Sequence, residues 1–506
     1  MTEILTAQTP DDTDDLIPAA ARATATASAA AAARRTSTAP ARASGMDRRA
    51  KLVLLVLCAA NFLVGIDFSI LNIALPAIGQ DLHLGESNLQ WVATAFALPS
   101  GGLLLLFGRI GDLIGRRRVF LAGIALFTAA SLLAAFAWNP AALLTARALQ
   151  GLGAAGVVPT GMALLTTSFS EGRARDKALG IAGALMATGF TVGTLIGGVV
   201  TDLAGWRYTM VLPIVLGALV LAGTPFLITE SRNHRAERLD LPGAVTVTGG
   251  LLALIYALST AAQVGWSKAS VLGTLVTGVV LLGAFLFVEA RSTHPLVSLR
   301  VLRRRTVALG NLGGLLTFSA ASALVFIGEL FLQQVNGLSP IQTGLVFGWL
   351  GVVAAVSGNL APRAIGRVGS RTVLVAGLLA QGVGTAVIAT MTHGGSVLVL
   401  LAAGTVWVYG HLQAVVGYSV TATSGLADEE QGLATGLATT TQQVALTVGI
   451  PIMSALASSR TNALLHTGYG RVDALVGGFH LALAVDAALV VAGVALLAAG
   501  LLRRAR

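Results

Sequence analysis

The residues best suited to chemistry in this chain of 506 residues lie in the stretch GRIGDLIGRRR, residues 108–118. Four arginines and one aspartate stand there between two apolar stretches. A carboxylate beside several guanidiniums can form strong charge-assisted hydrogen bonds, and Gly108, Gly111 and Gly115 would let helix ends and a loop pack closely. The cluster could therefore exchange ion pairs between two conformations. The alternative is that its arginines only orient the chain.

A second group consists of ionisable residues that stand alone inside apolar stretches. Counted at 1.5 Å per residue from Lys51 and Pro140, Asp67 lies about 24 Å from one membrane surface and Arg147 about 10 Å from the other. In a hydrocarbon core of about 30 Å these depths are similar, so the two side chains could meet. Burial and a neighbouring guanidinium shift the proton affinity of a carboxyl group in opposite directions. We therefore predict proton coupling by Asp67 and Arg147; a static ion pair is the alternative.

Three further ionisable residues lie in apolar stretches, where a charge is costly and a functional role is the default hypothesis. Glu329 could be a second proton site, a contact for a cationic substrate or an interfacial charge. His411 stands among glycines and tyrosines, which favours a satisfied polar side chain over a proton relay. Asp486 lies early in the last apolar stretch, and we predict a structural role for it.

Several kinds of chemistry have no motif in the sequence. A glycine followed by Lys-Ser or Lys-Thr, which would indicate a phosphate-binding loop, is absent, as are a nucleophile elbow and a cluster of metal ligands. Cys58 is the only cysteine, so no disulfide can form within the chain. We predict that the chain is not an enzyme, uses no cofactor or metal, and draws its energy from an ion gradient.

The composition identifies the elements that position these residues. Hydrophobic residues make up 55% of the chain and charged residues 11%, against about 25% charged in soluble domains. About 20 consecutive apolar residues form a membrane helix, and lipid leaves helices as the only plausible structure for such runs. The sequence predicts fourteen of them, at about 51–79, 89–107, 119–137, 141–168, 177–200, 208–228, 241–260, 270–290, 307–335, 341–361, 372–390, 397–424, 432–457 and 480–502.

The basic residues predict the orientation of these helices. With the N-terminus in the cytoplasm, the inner loops carry arginine clusters at 109–118, 232–238, 291–305 and 363–371, whereas the outer loops carry only Arg207, Lys268, Arg460 and Arg471. This asymmetry matches the positive-inside rule. It predicts a multi-pass protein of the cytoplasmic membrane with both termini inside, and it explains the net charge of +10 without a nucleic-acid partner.

A weak internal repeat divides the chain into two halves. Shifted by 254 residues, GRIGDLIGRRRVFLAG (108–123) falls on PRAIGRVGSRTVLVAG (362–377). Eight helices separate the copies, two more than a transporter of two six-helix halves would give. We therefore predict a disordered cytoplasmic tail at 1–45, six-helix bundles at 46–230 and 307–506, and two inserted helices with polar linkers at 231–306.

Four motifs resemble the major facilitator superfamily, specifically its 14-helix drug:proton antiporter branch. The loop motif has Gly108, Asp112, Gly115, Arg116 and Arg117. The other three motifs are NFLVGIDFSILNIALPAI (61–78) with Asp67, RALQGLGAAGVVP (147–159) with Arg147, Gln150 and Gly151, and GFTVGTLIGG (189–198). Thr194 stands where the antiporter motif usually has proline, and Gly366 replaces the aspartate in the second copy of the loop motif.

The resemblance implies an all-α integral membrane protein with the major facilitator fold. It implies a monomeric proton-coupled antiporter that exports amphipathic drugs, antibiotics or metabolites by alternating access, with the lipid bilayer, protons and a small-molecule substrate as its partners. The gating loop would comprise Gly108, Arg109, Asp112, Gly115, Arg116 and Arg117. The antiporter motif would comprise Gly189, Gly193, Gly197 and Gly198. Their spacing indicates close helix packing, and the sharper hypothesis is that they line a contact between the halves. A proton-coupled importer of a nutrient or peptide and a non-transporting membrane receptor are the alternatives.

Overall fold

Each of the fourteen predicted apolar runs coincides with a helix in the computed structural model. The structure describes residues 47–169, 173–231, 240–292, 299–392, 396–426 and 428–502, so the predicted tail at 1–45 lies outside the described residues. Within these ranges the long helices are α1 Arg48–Asp81, α2a Glu86–Gly102 with α2b Leu104–Ile114, α3 Arg116–Ala135, α4 Pro140–Ser168, α5 Arg173–Leu203, α6 Val211–Leu227, α7 Leu241–Val264, α8 Ala269–Arg291, α9 Arg305–Leu330, α10 Pro340–Val368, α11 Ser370–Ile388, α12 Ser396–Thr423, α13 Asp428–His466 and α14 Arg471–Leu497.

Fewer helices qualify as membrane spans by length and composition than the fourteen that the sequence predicts. Twelve helices in the described ranges are long and apolar enough to cross a membrane, and α2a with α2b makes a thirteenth if the pair, bent by 46°, is one span. The bend follows Pro99, whose ring removes a backbone hydrogen bond. Of the described residues of α5, the apolar stretch Thr191–Leu203 is too short to count as a span by itself. Fourteen spans therefore remain a prediction.

Helix boundaries follow from local sequence and repeat between the halves. Gly115 ends α2b with φ at 126°, and Gly369, its counterpart in the repeat, ends α10 with φ at 82°. Glycine adopts positive φ without steric cost, so both loops turn sharply into the next helix. Asn139 caps α4 and Ser339 caps α10 with their side-chain oxygens, and each cap is followed by a proline at the first helical position.

The helices pack in a pattern that recurs in both halves. In the N-terminal half α3 packs against α4 and α6, and in the C-terminal half α11 packs against α12 and α14. The inserted helices α7 and α8 pack on each other, and α7 also contacts α2a and α13, one helix from each half. The inserted pair therefore lies along a boundary between the halves.

The halves meet at the end of the bundle that holds the α1–α2 and α9–α10 turns, which the charge pattern predicts to face outwards; we call it the outer end. There α5 lies so close to α10 that a Cβ added to Gly344 would be 2.8 Å from the carbonyl oxygen of Thr194. Gln333, just after α9, donates to the carbonyl oxygen of Ile73 on α1 over 3.0 Å. We call the α5–α10 contact the outer seam.

Replacing glycine by alanine should have opposite effects on stability inside and outside the outer seam. Gly198→Ala places a Cβ 2.5 Å from the carbonyl oxygen of Pro340, so we expect a lower melting temperature. Gly273→Ala on α8 meets nothing within 4 Å and should gain up to about 1 kcal/mol of helix propensity. Thermal melting of the purified proteins in detergent measures both, and equal responses would contradict the close contact.

Candidate functional site

An ion pair between α1 and α4 lies at the centre of the N-terminal half. Nη1 of Arg147 is 2.6 Å from Oδ2 of Asp67, and the two side chains are 1% and 0% exposed. Gln150 donates from Nε2 to Oδ1 of Asp67 over 3.0 Å and accepts at Oε1 from Nη1 of Arg147 at 2.8 Å. The three side chains form a closed, buried network, which we call the ion-pair triangle.

Helix α2a completes the surroundings of the arginine. Nε of Arg147 donates to the carbonyl oxygen of Val92 over 3.1 Å, and its guanidinium lies 4.5 Å from the ring centre of Phe96, in the range of a cation–π contact. Gly151 permits this approach, because a side chain there would collide with the carbonyl oxygen of Phe96. Gly151 of the motif RALQGLGAAGVVP thus makes room for the helix that surrounds Arg147, four residues earlier.

The triangle is stable only as a charge-balanced unit. Gln150 also donates to Oγ of Ser131 on α3 over 2.8 Å, so three helices contribute side chains to it. Removing one partner of a buried ion pair typically costs about 3–5 kcal/mol, because the other charge is left uncompensated. Protonation of Asp67 would remove the charge that balances Arg147. The network therefore ties α1, α3 and α4 together for as long as both charges are present.

Glu329 lies near the end of α9 and is 1% exposed. Neither of its carboxyl oxygens has a hydrogen-bond partner among the described residues. It stands one helical turn before Gln333, whose side chain contacts α1 of the other half. An unpaired carboxylate in apolar surroundings is costly, so Glu329 is an unusual group at this boundary.

The loop motif at 108–118 makes its described contacts within the N-terminal half. Arg116 pairs with Asp112 over 2.9 Å, one turn earlier in the chain. Arg117 donates from its backbone N–H to Oε1 of Glu230 and from Nη2 to the carbonyl oxygen of Pro225, both over 3.0 Å. Nε of Arg109 is buried without a hydrogen-bond partner in the described part of the chain. The loop is thus held on the end of α6.

The remaining glycines of the loop motif are in close packing. A Cβ on Gly108 would lie 3.4 Å from Cβ of Pro159 on α4, and one on Gly111 would collide with the side chain of Thr160. Gly115 faces the carboxyl group of Glu230, which would lie 2.7 Å from an added Cβ. These glycines bring α2b and the turn against α4 and α6.

The antiporter-motif glycines require a correction. Cβ atoms added to Gly189, Gly193 and Gly197 would contact residues 62, 66–69 and 70–73 of α1, so these three glycines pack inside the N-terminal half. Only Gly198 reaches the outer seam, against Pro340. A spacing of four residues shows that α5 has a flat face, but it does not show which neighbour covers that face.

The outer seam is formed by the adjacent face of α5, together with glycines of α10 that the sequence analysis did not single out. Those contacts join Thr191 to Gly351 and Leu195 to Gly348. The stretch GLVFGWLG (344–351) has the small-residue spacing of a close helix contact. This spacing is the sequence signal that could have identified the α10 side of the outer seam.

The C-terminal half has its own buried polar groups. His411 on α12 lies 2.9 Å, measured from Nδ1, from the hydroxyl of Thr317 on α9, and Gln381 on α11 bonds to the same threonine. Asp486 on α14 is 3% exposed, and its Oδ2 has no hydrogen-bond partner among the described residues. Neither residue contacts the ion-pair triangle in an observed hydrogen bond or ion pair.

Residues 57–450 match the model of the Major Facilitator Superfamily. The chain belongs to this superfamily. The puromycin resistance protein pur8 of Streptomyces alboniger is 37% identical over 463 residues, covering 88% of this chain and 90% of that protein. The cephamycin export protein CmcT of Amycolatopsis lactamdurans is 37% identical over 449 residues, covering 86% and 91%. The family resemblance and the multi-pass membrane architecture are therefore confirmed.

A solved structure supports the fold of this facilitator independently. The POT family transporter PepTSo aligns with a TM-score of 0.65 over 89% of this chain and 99% of its own, at 16% identity. At that identity the likeness concerns the fold alone. The helical fold of the described residues is shared with that solved structure.

Two partners in the facilitator's site had only weak sequence signals. Glu230, which holds the loop motif, is one of three acidic residues in the linker TESRNHRAERLD, among three arginines. Ser131 lies in an apolar run with nothing to distinguish it from other small polar residues. Both positions depend on the packing of α3 and α6, which the sequence does not specify.

The ion-pair triangle predicts a coupled effect on stability. Arg147→Met leaves Asp67 buried without its counter-charge, and we expect a loss of about 3–5 kcal/mol in unfolding free energy. The double variant Asp67→Leu with Arg147→Met should lose less than the two single variants together. Unfolding in mixed detergent measures these values. Arg118→Met is the control, since Arg118 is 66% exposed. If the double variant loses as much as the two single variants together, Asp67 and Arg147 do not stabilise each other.

The turn between α2b and α3 allows a second test by single and double variants. Gly115→Ala combines strain at φ 126° with a collision against Glu230, and Glu230→Ala should relieve the collision only. Gly205→Ala isolates the strain, since φ there is 98° and no atom lies within 4 Å; about 1–3 kcal/mol is expected. If Gly115→Ala costs no more than Gly205→Ala in the same unfolding assay, Glu230 does not constrain the turn.

Proposed function

We propose that this facilitator is a proton-coupled antiporter that exports amphipathic small molecules across the cytoplasmic membrane by alternating access. Two relatives named for puromycin resistance and for cephamycin export support the direction of transport. The observation that carries the proton coupling is the buried triangle of Asp67, Arg147 and Gln150. An ionisable pair enclosed among membrane helices marks a proton or substrate pathway.

The contacts at the outer seam support an arrangement closed to the outside. α5 meets α10 and α1 meets the end of α9 there, while the loop motif at the opposite end is held by its own half. In this conformation a substrate would enter from the cytoplasm or the inner leaflet. Arginine-rich loops support a cytoplasmic location for that end and for both termini.

A cavity between α9 and α13 supports an amphipathic substrate. Its volume is about 340 Å³, within the range of small-molecule sites. Apolar side chains dominate its wall, with an amide and two hydroxyls among them; the lining residues are Ala308, Asn311, Leu312, Leu315, Thr440, Thr441 and Val444. Such a wall suits a molecule with an apolar body and a few polar groups.

The proposed coupling uses the two buried carboxyl groups in different ways. Protonation of Asp67 releases Arg147 from its partner, which favours a different packing of α1 against α4. Glu329 is buried one helical turn before Gln333, which contacts α1, and it has no hydrogen-bond partner in the described ranges. When the outer seam opens, water reaches it, and it can exchange its proton with the outside. Substrate leaves and protons enter in the same half of the cycle.

Proton antiport in everted membrane vesicles tests the proposal. Respiration acidifies the vesicle interior, and added puromycin or ethidium should release protons from vesicles that contain the wild type. Asp67→Asn removes the titratable group while keeping its shape, so proton release should fall at least tenfold. Acridine orange fluorescence reports the release. Asp202→Asn, an exposed carboxylate at the end of α5, is the matched control.

Growth of a pump-deficient bacterium that expresses the same variants gives the transport direction. Wild type and Asp202→Asn should protect against the compounds that release protons, and equally expressed Asp67→Asn should not. Proton release by Asp67→Asn at the wild-type rate would overturn the role of Asp67. Sensitisation instead of protection would favour an importer, and an absence of flux with every compound would favour a receptor.

A further inference from the structure

A second polar cluster lies in the C-terminal half, on the helices that correspond to those of the ion-pair triangle. The triangle uses α1, α3 and α4; the second cluster uses Thr317 on α9, Gln381 on α11 and His411 on α12. Each of these helices stands eight positions after its counterpart, which is the offset of the internal repeat. The second cluster therefore occupies the equivalent helices, with an imidazole as its only titratable group.

The hydrogen bonds of this cluster assign the tautomer of the ring. Nε2 of Gln381 donates to the carbonyl oxygen of Thr317 over 3.0 Å, so Oε1 of Gln381 accepts from the threonine hydroxyl at 2.6 Å. That hydroxyl has no second hydrogen, and its oxygen must accept from Nδ1 of His411 at 2.9 Å. In the neutral ring the hydrogen is therefore on Nδ1, and Nε2 carries a lone pair.

Aromatic side chains hold the imidazole in place. The ring stacks on Trp407 with centroids 5.6 Å apart and planes within 8°, and Phe318 meets it edge-on at 5.7 Å. His411 is nevertheless partly exposed, and its Nε2 has no hydrogen-bond partner within the described ranges. The protein thus fixes one nitrogen and leaves the other available.

The groups that contact the ring from its own helix and from α9 are uncharged, as is Gln381 on α11. Tyr418, whose ring touches Phe318, donates its hydroxyl to the carbonyl oxygen of Ala438 on α13, and from α10 Ser357 bonds to the carbonyl oxygen of Tyr409. Carboxyl groups are more remote: Asp486 lies on α14, which packs against α11, and Glu329 is about 18 Å further along α9 at 1.5 Å per residue. No fixed negative charge contacts the ring in the described ranges.

We propose that His411 is a second exchange site of the carrier, at which Nε2 binds either a proton or an N–H or O–H group of an aromatic, amphipathic substrate. The inference rests on the proposed export function. A protonated Nε2 is a donor and can no longer accept a hydrogen bond from the substrate. Proton and substrate therefore exclude each other at this nitrogen, as antiport requires.

Histidine ¹⁵N NMR of the full chain in lipid nanodiscs tests the site without transport. The signal lost in His411→Gln should show a hydrogen on Nδ1 and none on Nε2 at pH 8. Thr317→Val should abolish this preference, whereas His480→Gln, at a histidine whose Nε2 already contacts the carbonyl oxygen of Met391, should leave it unchanged. A hydrogen on Nε2 in the wild type would overturn the assignment.

Binding of puromycin to the same samples tests the exchange. Between pH 8 and the pH at which the ¹⁵N signal shows Nε2 of His411 protonated, the wild type and His480→Gln should lose about tenfold in affinity, as expected for one hydrogen bond worth about 1.4 kcal/mol. His411→Gln should change less than twofold, and His411→Asn serves if that variant does not fold. No binding by the wild type, or equal pH dependence in all variants, overturns the site. Because no gradient is used, failure of antiport in vesicles would leave this result intact and would reject the export function alone.

Discussion

The buried contact between Asp67 and Arg147 constrains the whole N-terminal half. Two opposite charges removed from water are tolerable only if each compensates the other and the remaining hydrogen bonds are filled. Four helices supply these groups: α1 the carboxylate, α4 the guanidinium, α2a a carbonyl oxygen and an aromatic ring, and α3 a hydroxyl. No one of them can move far without leaving a buried charge unsatisfied, so the network holds the four helices together.

Helix α5 shows how such a unit can still separate from its partner. Its glycines at 189, 193 and 197 pack on α1 and fix α5 within the N-terminal half. The adjacent face, with Thr191 and Leu195, contacts α10 through small residues. Lipid supplies no hydrophobic force between helices, so both contacts depend on close packing. One helix thus carries a contact internal to its half on one face and a contact between the halves on the next.

The sequence predicted the features that depend on depth and periodicity. Apolar runs located all fourteen helices, and counting residues along them placed Asp67 and Arg147 at one level, where the structure pairs them. Features that depend on which helices are neighbours were not predictable. Of the motif glycines only Gly198 lies at the predicted contact between the halves. Glu230 and Ser131 were missed, because small or single polar residues look alike until packing gives them partners.

The inserted helix α7 adds a link between the halves that two six-helix bundles alone would not have, because it packs against both α2a and α13. Its contacts with α2a are directional: Gln90 donates to the carbonyl oxygen of Ser259 over 3.1 Å, and Trp91 meets the ring of Tyr256. Towards α13 the contact is apolar, with Val444 and Val448 against the cluster around Leu251. Because apolar contact is not directional, two apolar helix faces can shift along each other, whereas the same shift would break a hydrogen bond. Helix α7 is therefore joined to α2a by directional contacts and to α13 by the apolar contacts of this cluster.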